Sequence, residues 1–261
     1  MSHRTMSVAG SFYPSSCKEI EQIITKFNNI QKEVHQISFN PKAIISPHAG
    51  YIYSGFTANC AYKLIDKSSV KRVVVIGPSH REYIKGASIA LHKYYDTPCG
   101  SLEIDTAYNQ ALGQKYSFLT FVENLHFEHS TETQMPFIKH YFPDAKVVEI
   151  VYGEVEYQQL VPLVEEVLAD EKTLIVISTD LSHFYKLSNA NTLDSICLKA
   201  VKELDIKGMQ GCEACGIIGV KALLRAAKNK SLKSQIIDYR TSYDASGDDM
   251  NVVGYMSALV G

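Results

Sequence analysis

The sequence predicts a single α/β domain with a mainly parallel central sheet and helices on both faces. Two observations carry this. Short β-branched and aliphatic runs alternate along the chain with longer segments whose apolar residues recur every three or four positions, as strands and amphipathic helices do in turn. No repeat, low-complexity segment or Pro/Gly/Ser linker interrupts the 261 residues. Residues 1–261 therefore read as one domain, close to the roughly 250 residues that a single α/β unit commonly reaches.

The elements follow in order. Val8-Ala9-Gly10-Ser11-Phe12-Tyr13-Pro14 is a turn-rich opening. Ser16 to Asn28 reads as a helix with Ile20, Ile23, Ile24 and Phe27 on one face. Lys42 to Ser46 is a short buried strand, Tyr51 to Asp66 a helix, and Lys71 to Ile76 a strand by its β-branched content. Ala87 to Leu91 and Phe118 to Val122 are strands flanking a helix over Asp105 to Gln114. Glu132 to Tyr141 is helical and Lys146 to Tyr152 a strand. Val155 to Ala169 is a helix with Pro162 in its first turns, where proline is tolerated. Thr173 to Ser178 is a strand, and helices span Asn189 to Leu204 and Cys215 to Lys228. Leu232 to Thr241 and Val252 to Leu259 close the chain as an antiparallel pair.

Composition narrows the function. Hydrophobic residues make up 46% and charged residues 21%, with a net charge of −2, so there is no electrostatic footprint for nucleic acid. Scattered Lys and Arg argue against a polybasic membrane patch. No apolar stretch approaches the roughly 20 residues that span a bilayer, and Met1 to Tyr13 lacks the apolar centre of a secretory signal. The expected compartment is the cytoplasm. The six cysteines are too sparse and irregular for a disulfide framework; buried thiols with one or two functional ones are expected.

Three of the strand-like runs end in a histidine. Ala43-Ile44-Ile45 leads to His48, Val73-Val74-Val75-Ile76 to His80, and Leu174-Ile175-Val176-Ile177 to Asp180 and His183. Ligands collect outside the carboxyl ends of parallel strands. If these strands are neighbours, three imidazoles and a carboxylate meet at one edge, as a metal or acid/base site requires. Singly, such a histidine is more often a packing residue; the shared context raises the functional reading. Asp180 and His183 have the spacing of one helical turn, either as ligand pair or orienter and base, or as a helix N-cap beside a packed histidine. Cys215 precedes Gly216 at a helix start, which favours the thiolate that binds metals. Cys212 and Cys215 form one Cys-x-x-Cys pair, without the second pair of a structural zinc site. Glu128-His129-Ser130-Thr131-Glu132 is either a capped helix start or a source of pocket groups, His129 and Glu132. Tyr51, Tyr53 and Tyr83 follow the first two histidines and could line that pocket. His3, His35, His92, His126 and His140 show no partner pattern.

Together these residues resemble the Memo family, also called AmmeMemoRadiSam system protein B. The resemblance runs nearly end to end, through Val8–Pro14, Pro47-His48-Ala49-Gly50-Tyr51, Gly77-Pro78-Ser79-His80, Glu128-His129-Ser130 with Glu132 and Gln134-Met135-Pro136-Phe137, Ser178–His183, and Ala214-Cys215-Gly216. It implies a fold similar to class III extradiol (LigB-like) dioxygenases. It also implies His48, His80 and Cys215 as metal ligands, with Asp180, His183 and His129 as neighbouring catalytic positions. The dioxygenases hold Fe(II) with two histidines and a carboxylate; a thiolate in place of the carboxylate suits copper or zinc as well as iron. The expected function is a metal-dependent redox protein with His183 or His129 as base and Asp180 as its orienter. The alternatives are an adaptor whose cleft takes a peptide or small ligand, as the receptor-linked signalling of animal members suggests, and a zinc-dependent hydrolase. The bacterial family name implies a functional link to an AMMECR-type domain and a radical-SAM enzyme.

Overall fold

The computed structural model describes residues 2–31 and 35–261. Its strands are β1 (His3–Arg4), β2 (Ala43–Ser46), β3 (Arg72–Pro78), β4 (Ala87–Ile89), β5 (Tyr94–Tyr95), β6 (Leu102–Glu103), β7 (Leu119–Thr120), β8 (Lys146–Tyr152), β9 (Thr173–Ser178), β10 (His183–Tyr185), β11 (Ser234–Thr241) and β12 (Val252–Val260). Its helices are α1 (Cys17–Ile30), α2 (Phe56–Tyr62), α3 (Thr106–Lys115), α4 (His129–Glu132), α5 (Met135–Tyr141), α6 (Tyr157–Ala169), α7 (Leu187–Lys202), α8 (Ile217–Asn229) and α9 (Tyr243–Ser246).

A nine-stranded open sheet has the order β10-β12-β2-β9-β3-β8-β4-β7, with β11 also beside β12. The four central strands, β2, β9, β3 and β8, run parallel. The closing pair β11–β12 is antiparallel, as the sequence led us to expect, and β12 also runs antiparallel to β2. Residues alternate between the two faces, as the pleat demands. Ile45, Val74, Ile76, Ile175 and Ile177 pack with α6, α7 and α8 through Leu160, Val164, Cys197 and Leu223. Ile44, Val73, Val75, Leu174 and Val176 pack on the other face with α1, α2 and α5 through Ile20, Ile24, Ala58 and Phe137. Each fully buried aliphatic side chain contributes about 1.5–3 kcal/mol relative to exposure, so the strands are held from both sides.

A small second sheet, β1-β5-β6, ties down the N-terminal segment. Its three two-residue strands are too short to show a period of two in the sequence. No helix among the described residues is long and apolar enough to cross a membrane.

Several local expectations are corrected. The segment from Tyr51 begins with a π-helical turn over Tyr51–Gly55 before α2. The turn presses on α1, where a Cβ at Gly55 would stand 3.0 Å from the Phe27 ring. The helix expected over Glu132 to Tyr141 is two, α4 and α5. Pro136 has no backbone N–H to donate and sits in the first turn of α5. Asp180 and His183 do not share a helical turn. Leu181 N donates to Gly254 O (2.8 Å) and Gly254 N to Ser182 O (2.9 Å), which draws the chain onto β12 as β10. Finally, the cysteines form two disulfides, Cys17–Cys99 and Cys197–Cys212. These partners are 82 and 15 residues apart in sequence and meet only through tertiary packing. Cys212 is thereby removed from the Cys-x-x-Cys pair with Cys215.

Candidate metal centre

Each of three adjacent parallel strands delivers one polar side chain two residues beyond its end. His48 follows β2, Asp180 follows β9 and His80 follows β3, with β9 in the middle. Ser46 and Ser178 are Cα partners across β2 and β9, so His48 and Asp180 emerge level. The backbone N–H of His48 donates to Asp180 Oδ1 at 2.7 Å. Asp180 thus fixes the His48 loop. His183 lies further on, half-buried at the start of β10, opposite Val253 and 5.7 Å from the Phe184 ring.

The third imidazole of the cluster is His129, the first residue of α4. One ring nitrogen from each of His48, His80 and His129 lies within 4.8 Å of the others. The ring centroids are 5.2 Å apart for His48–His80, 5.5 Å for His48–His129 and 4.6 Å for His80–His129. His48 is buried, His129 half-buried and His80 exposed, so the cluster opens to solvent on the His80 side. Phe12, from the turn-rich opening, packs against His129 at 4.8 Å.

Hydrogen bonds fix which nitrogen each ring presents. Glu128, the N-cap of α4, takes His129 Nδ1 at 2.9 Å and His80 Nδ1 at 3.2 Å on Oε1. A carboxylate only accepts, so both rings carry their proton on Nδ1 and turn the Nε2 lone pair away from it. Ser178 does the same for His48. Its single hydroxyl proton is donated to Ser130 O, and its oxygen faces His48 Nδ1 at 2.9 Å while accepting from Gln134 Nε2 at 3.0 Å. His48 must therefore donate from Nδ1, which leaves Nε2 as the nitrogen with the lone pair. Three neutral imidazoles with Nδ1 held in this way have Nε2 left to donate, a donor set suited to zinc, copper or iron.

Charge at the site follows burial and these partners. Burial lowers the His48 pKa to about 4, and the neighbouring His80 and His129 push the same way against the pull of Asp180. The ring is therefore neutral at physiological pH, as a metal ligand must be. Burial opposes the charge on Glu128. The bonds from His129 and His80, with the N–H groups of His80 and Ser130, outweigh it and hold the carboxyl well below its usual range.

Cys215 precedes the N-cap of α8, and its Sγ lies 3.3 Å from His48 Nε2. It accepts the Asp180 N–H at 3.2 Å. The helix start does not make it a thiolate here. Burial, aided by the Asp180 carboxylate, raises its pKa to about 12. Cys215 is thus a thiol against His48, next to the three-histidine group but not one of its three members. Its loop is tightly fitted, since a Cβ at Gly216 would stand 2.5 Å from Ser178 O.

The four residues of α4 are each anchored. Ser130 Oγ donates to Pro78 O at 2.7 Å, and Thr131 Oγ1 to Glu149 Oε1. Glu132 does not enter the cluster. It is fully buried, ion-paired with Arg4, and accepts from Ser7 N and Val8 N (both 2.9 Å) and Tyr13 Oη (2.7 Å). Its role is to hold the N-terminal segment, and with it Phe12, against the site. His126 also has partners after all, Glu149 Oε2 and Ser88 Oγ, each at 2.8 Å. Of the tyrosines expected near the cleft, Tyr51 is buried with its hydroxyl on Thr133 O, and Tyr83 is exposed and bonded to Glu154. Sequence reasoning missed Glu128 and Ser178. The signal for Glu128 was present, an acid beside a candidate histidine at a helix start. Ser178 carries none, because only strand register aims it at His48.

Comparison with known proteins agrees with the extent of these motifs. A family model described as Memo-like protein matches residues 4–259. The chain is similar to a MEMO1 family protein of Aquifex aeolicus, 34% identical and covering 98% of both chains. It is 31% identical to MEMO1 family protein MJ0403 of Methanocaldococcus jannaschii, again over 98% of each. An Archaeoglobus fulgidus MEMO1 family protein is 29% identical over 95% of each.

Proposed function

This chain belongs to the Memo-like protein family, and from that premise we propose that it is a metal-dependent redox protein whose ion is held at the carboxyl ends of β2 and β3. The observation that carries this is the shared arrangement of His48, His80 and His129, each with Nδ1 held by an acceptor, with ring nitrogens within 4.8 Å of one another and the Nε2 of His48 facing Cys215 Sγ. Histidines that merely pack would not need two separate acceptors to fix three rings whose nitrogens lie within 4.8 Å of one another.

His48 and His80 are the ligands from the strand ends, and His129 joins them from α4. Cys215 is the fourth donor within reach, and it ionises only when a cation offsets its burial. Iron or copper bound there would supply one-electron chemistry, and the thiol biases the site towards softer ions such as Cu(I). With His129 committed as a ligand, proton transfer falls to His183, on the strand that leaves Asp180. Asp180 acts as a positioning residue for the His48 backbone and the Cys215 loop. Phe12 and the buried Arg4–Glu132 anchor close the site on the N-terminal side.

The test is oxygen consumption by anaerobically iron- or copper-loaded protein given a thiol or phenolic reductant. We expect uptake that falls at least tenfold in His48→Ala and, with the metal retained, in His183→Gln. Absence of uptake in metal-loaded wild-type protein with every reductant class tried would overturn the redox assignment.

A further inference from the structure

A second set of metal-ligating groups stands on other elements. Cys17 is the first residue of α1, and Glu21 follows one turn later on the same face. Cys99 lies in the loop between β5 and β6, just before Gly100. One donor atom from each lies within 4.8 Å of the other two, and all three residues are partly exposed. The two sulfurs are joined as a disulfide, with their Cα atoms 4.6 Å apart. His140, from α5, places Nδ1 2.9 Å from the Glu21 carboxylate.

We propose that reduction of the Cys17–Cys99 bridge converts this cluster into a binding site for a zinc-class divalent ion. The chemistry of the donors supports it. Two thiolates and a carboxylate are a donor set that zinc accepts, with water able to take a fourth position. Cys17 opens a helix of 14 residues, and the positive end of the helix favours its thiolate. The His140–Glu21 contact is of the kind that orients a ligating carboxylate. The disulfide already shows that the fold holds the two side chains face to face. Freed of the S–S bond, two thiols facing a carboxylate are poised to share a cation.

The conversion balances simply. A phosphine reductant delivers two electrons to the disulfide and takes oxygen from water as the phosphine oxide, leaving two thiols. Each thiol gives up its proton as the ion binds, so two protons leave per ion. The start of α1 is then tied to the β5–β6 loop in either condition, covalently when oxidised and through the ion when reduced. This proposal is independent of the histidine cluster.

Cobalt(II) is the probe, added to the full chain in a Cys215→Ser background so that the thiol beside His48 gives no signal. Before and after phosphine reduction under nitrogen, bound cobalt is counted and the sulfur-to-cobalt charge-transfer absorption recorded. We expect reduction to add one ion per chain with that absorption. Cys17→Ser should abolish the gain, and Glu21→Gln should weaken it about tenfold. In reduced wild-type protein, zinc should slow alkylation of Cys17 and Cys99 at least tenfold, read by peptide mass spectrometry. No added ion on reduction, an added ion that persists in Cys17→Ser, or alkylation unchanged by zinc would each overturn the proposal and leave the bridge a staple only.

Discussion

Replacing Glu128 by glutamine tests the arrangement of the histidine cluster at its most exacting point. Oε1 faces three donors, His129 Nδ1 at 2.9 Å, His80 Nδ1 at 3.2 Å and Ser130 N at 3.1 Å. Oε2 faces the His80 backbone N–H at 2.7 Å. An amide has one acceptor oxygen and one NH2, so either orientation sets a donor against a donor. The better orientation keeps the oxygen towards the imidazoles and opposes the His80 N–H, at a cost of about 1–3 kcal/mol for an unsatisfied buried group. The negative charge that aligned both imidazoles is lost as well. Removing such an orienting partner typically weakens metal binding about 10–100-fold, or roughly 1.4–2.7 kcal/mol. The assay is zinc titration against a chromophoric chelator, wild type beside Glu128→Gln. Imidazole nitrogen shifts in the metal-free proteins give a second readout, since His80 and His129 should lose their uniform Nδ1–H tautomer. A Kd within about twofold of wild type, with unchanged tautomers, would show that Glu128 does not orient the two imidazoles.

Further outcomes follow from the same contacts. Glu132→Gln strips the charge that pairs with fully buried Arg4, and breaking a buried pair costs about 3–5 kcal/mol. Urea unfolding should show a loss of that size, and a change under about 1 kcal/mol would contradict it. In Glu128, Glu132 and Glu149, burial opposes ionisation but donated hydrogen bonds and nearby cationic groups hold the carboxyl below its ordinary value. Their stabilisation is therefore complete above about pH 4.5, the unfolded value, and is lost as pH falls through the lower folded values. His48 adds a loss at higher pH. Its folded pKa of about 4 lies below the ordinary 6.5, so acidification from about 6.5 towards 4 favours the unfolded chain, which takes up the proton first. Unfolding free energy measured across this range should decline continuously, and a flat profile would count against the assignment of these groups. Gly216→Ala puts a Cβ 2.5 Å from Ser178 O and 2.6 Å from Thr179 Cβ. It should cost about 1–3 kcal/mol and separate Cys215 from His48, seen as loss of the sulfur-to-metal absorption in cobalt-loaded protein with both disulfides intact.

The sheet and the two strand-end histidines were legible because their signals are local. An apolar run, a short exit and a polar residue can be read without knowing what lies alongside. What decides between Asp180 and His183 is register. Asp180 stands as far beyond β9 as His48 and His80 stand beyond β2 and β3, whereas His183 is carried onto β12 by the Leu181 and Ser182 backbone bonds to Gly254. A histidine count at strand ends cannot see that bend. His129 reaches the cluster from a four-residue helix held almost wholly by long-range polar contacts, which leave no periodicity to read. The disulfide partners and the Arg4–Glu132 pair, 128 residues apart, are hidden for the same reason. The burial that keeps Cys215 a thiol comes from packing around the start of α8, while the helix-start rule sees only the local dipole.

The central claim is that His48, His80 and His129 together hold one metal ion. Its most direct test is elemental analysis after metal-free protein, kept oxidised so that Cys17 and Cys99 stay bridged, is reloaded with zinc, iron(II) or copper. One tightly bound ion per chain is expected in wild type, with a loss of at least tenfold in affinity in each of His48→Ala, His80→Ala and His129→Ala and the fold retained by circular dichroism. An ion bound equally well by all three variants, or no tight binding of any of the three metals by the wild type, would contradict that claim.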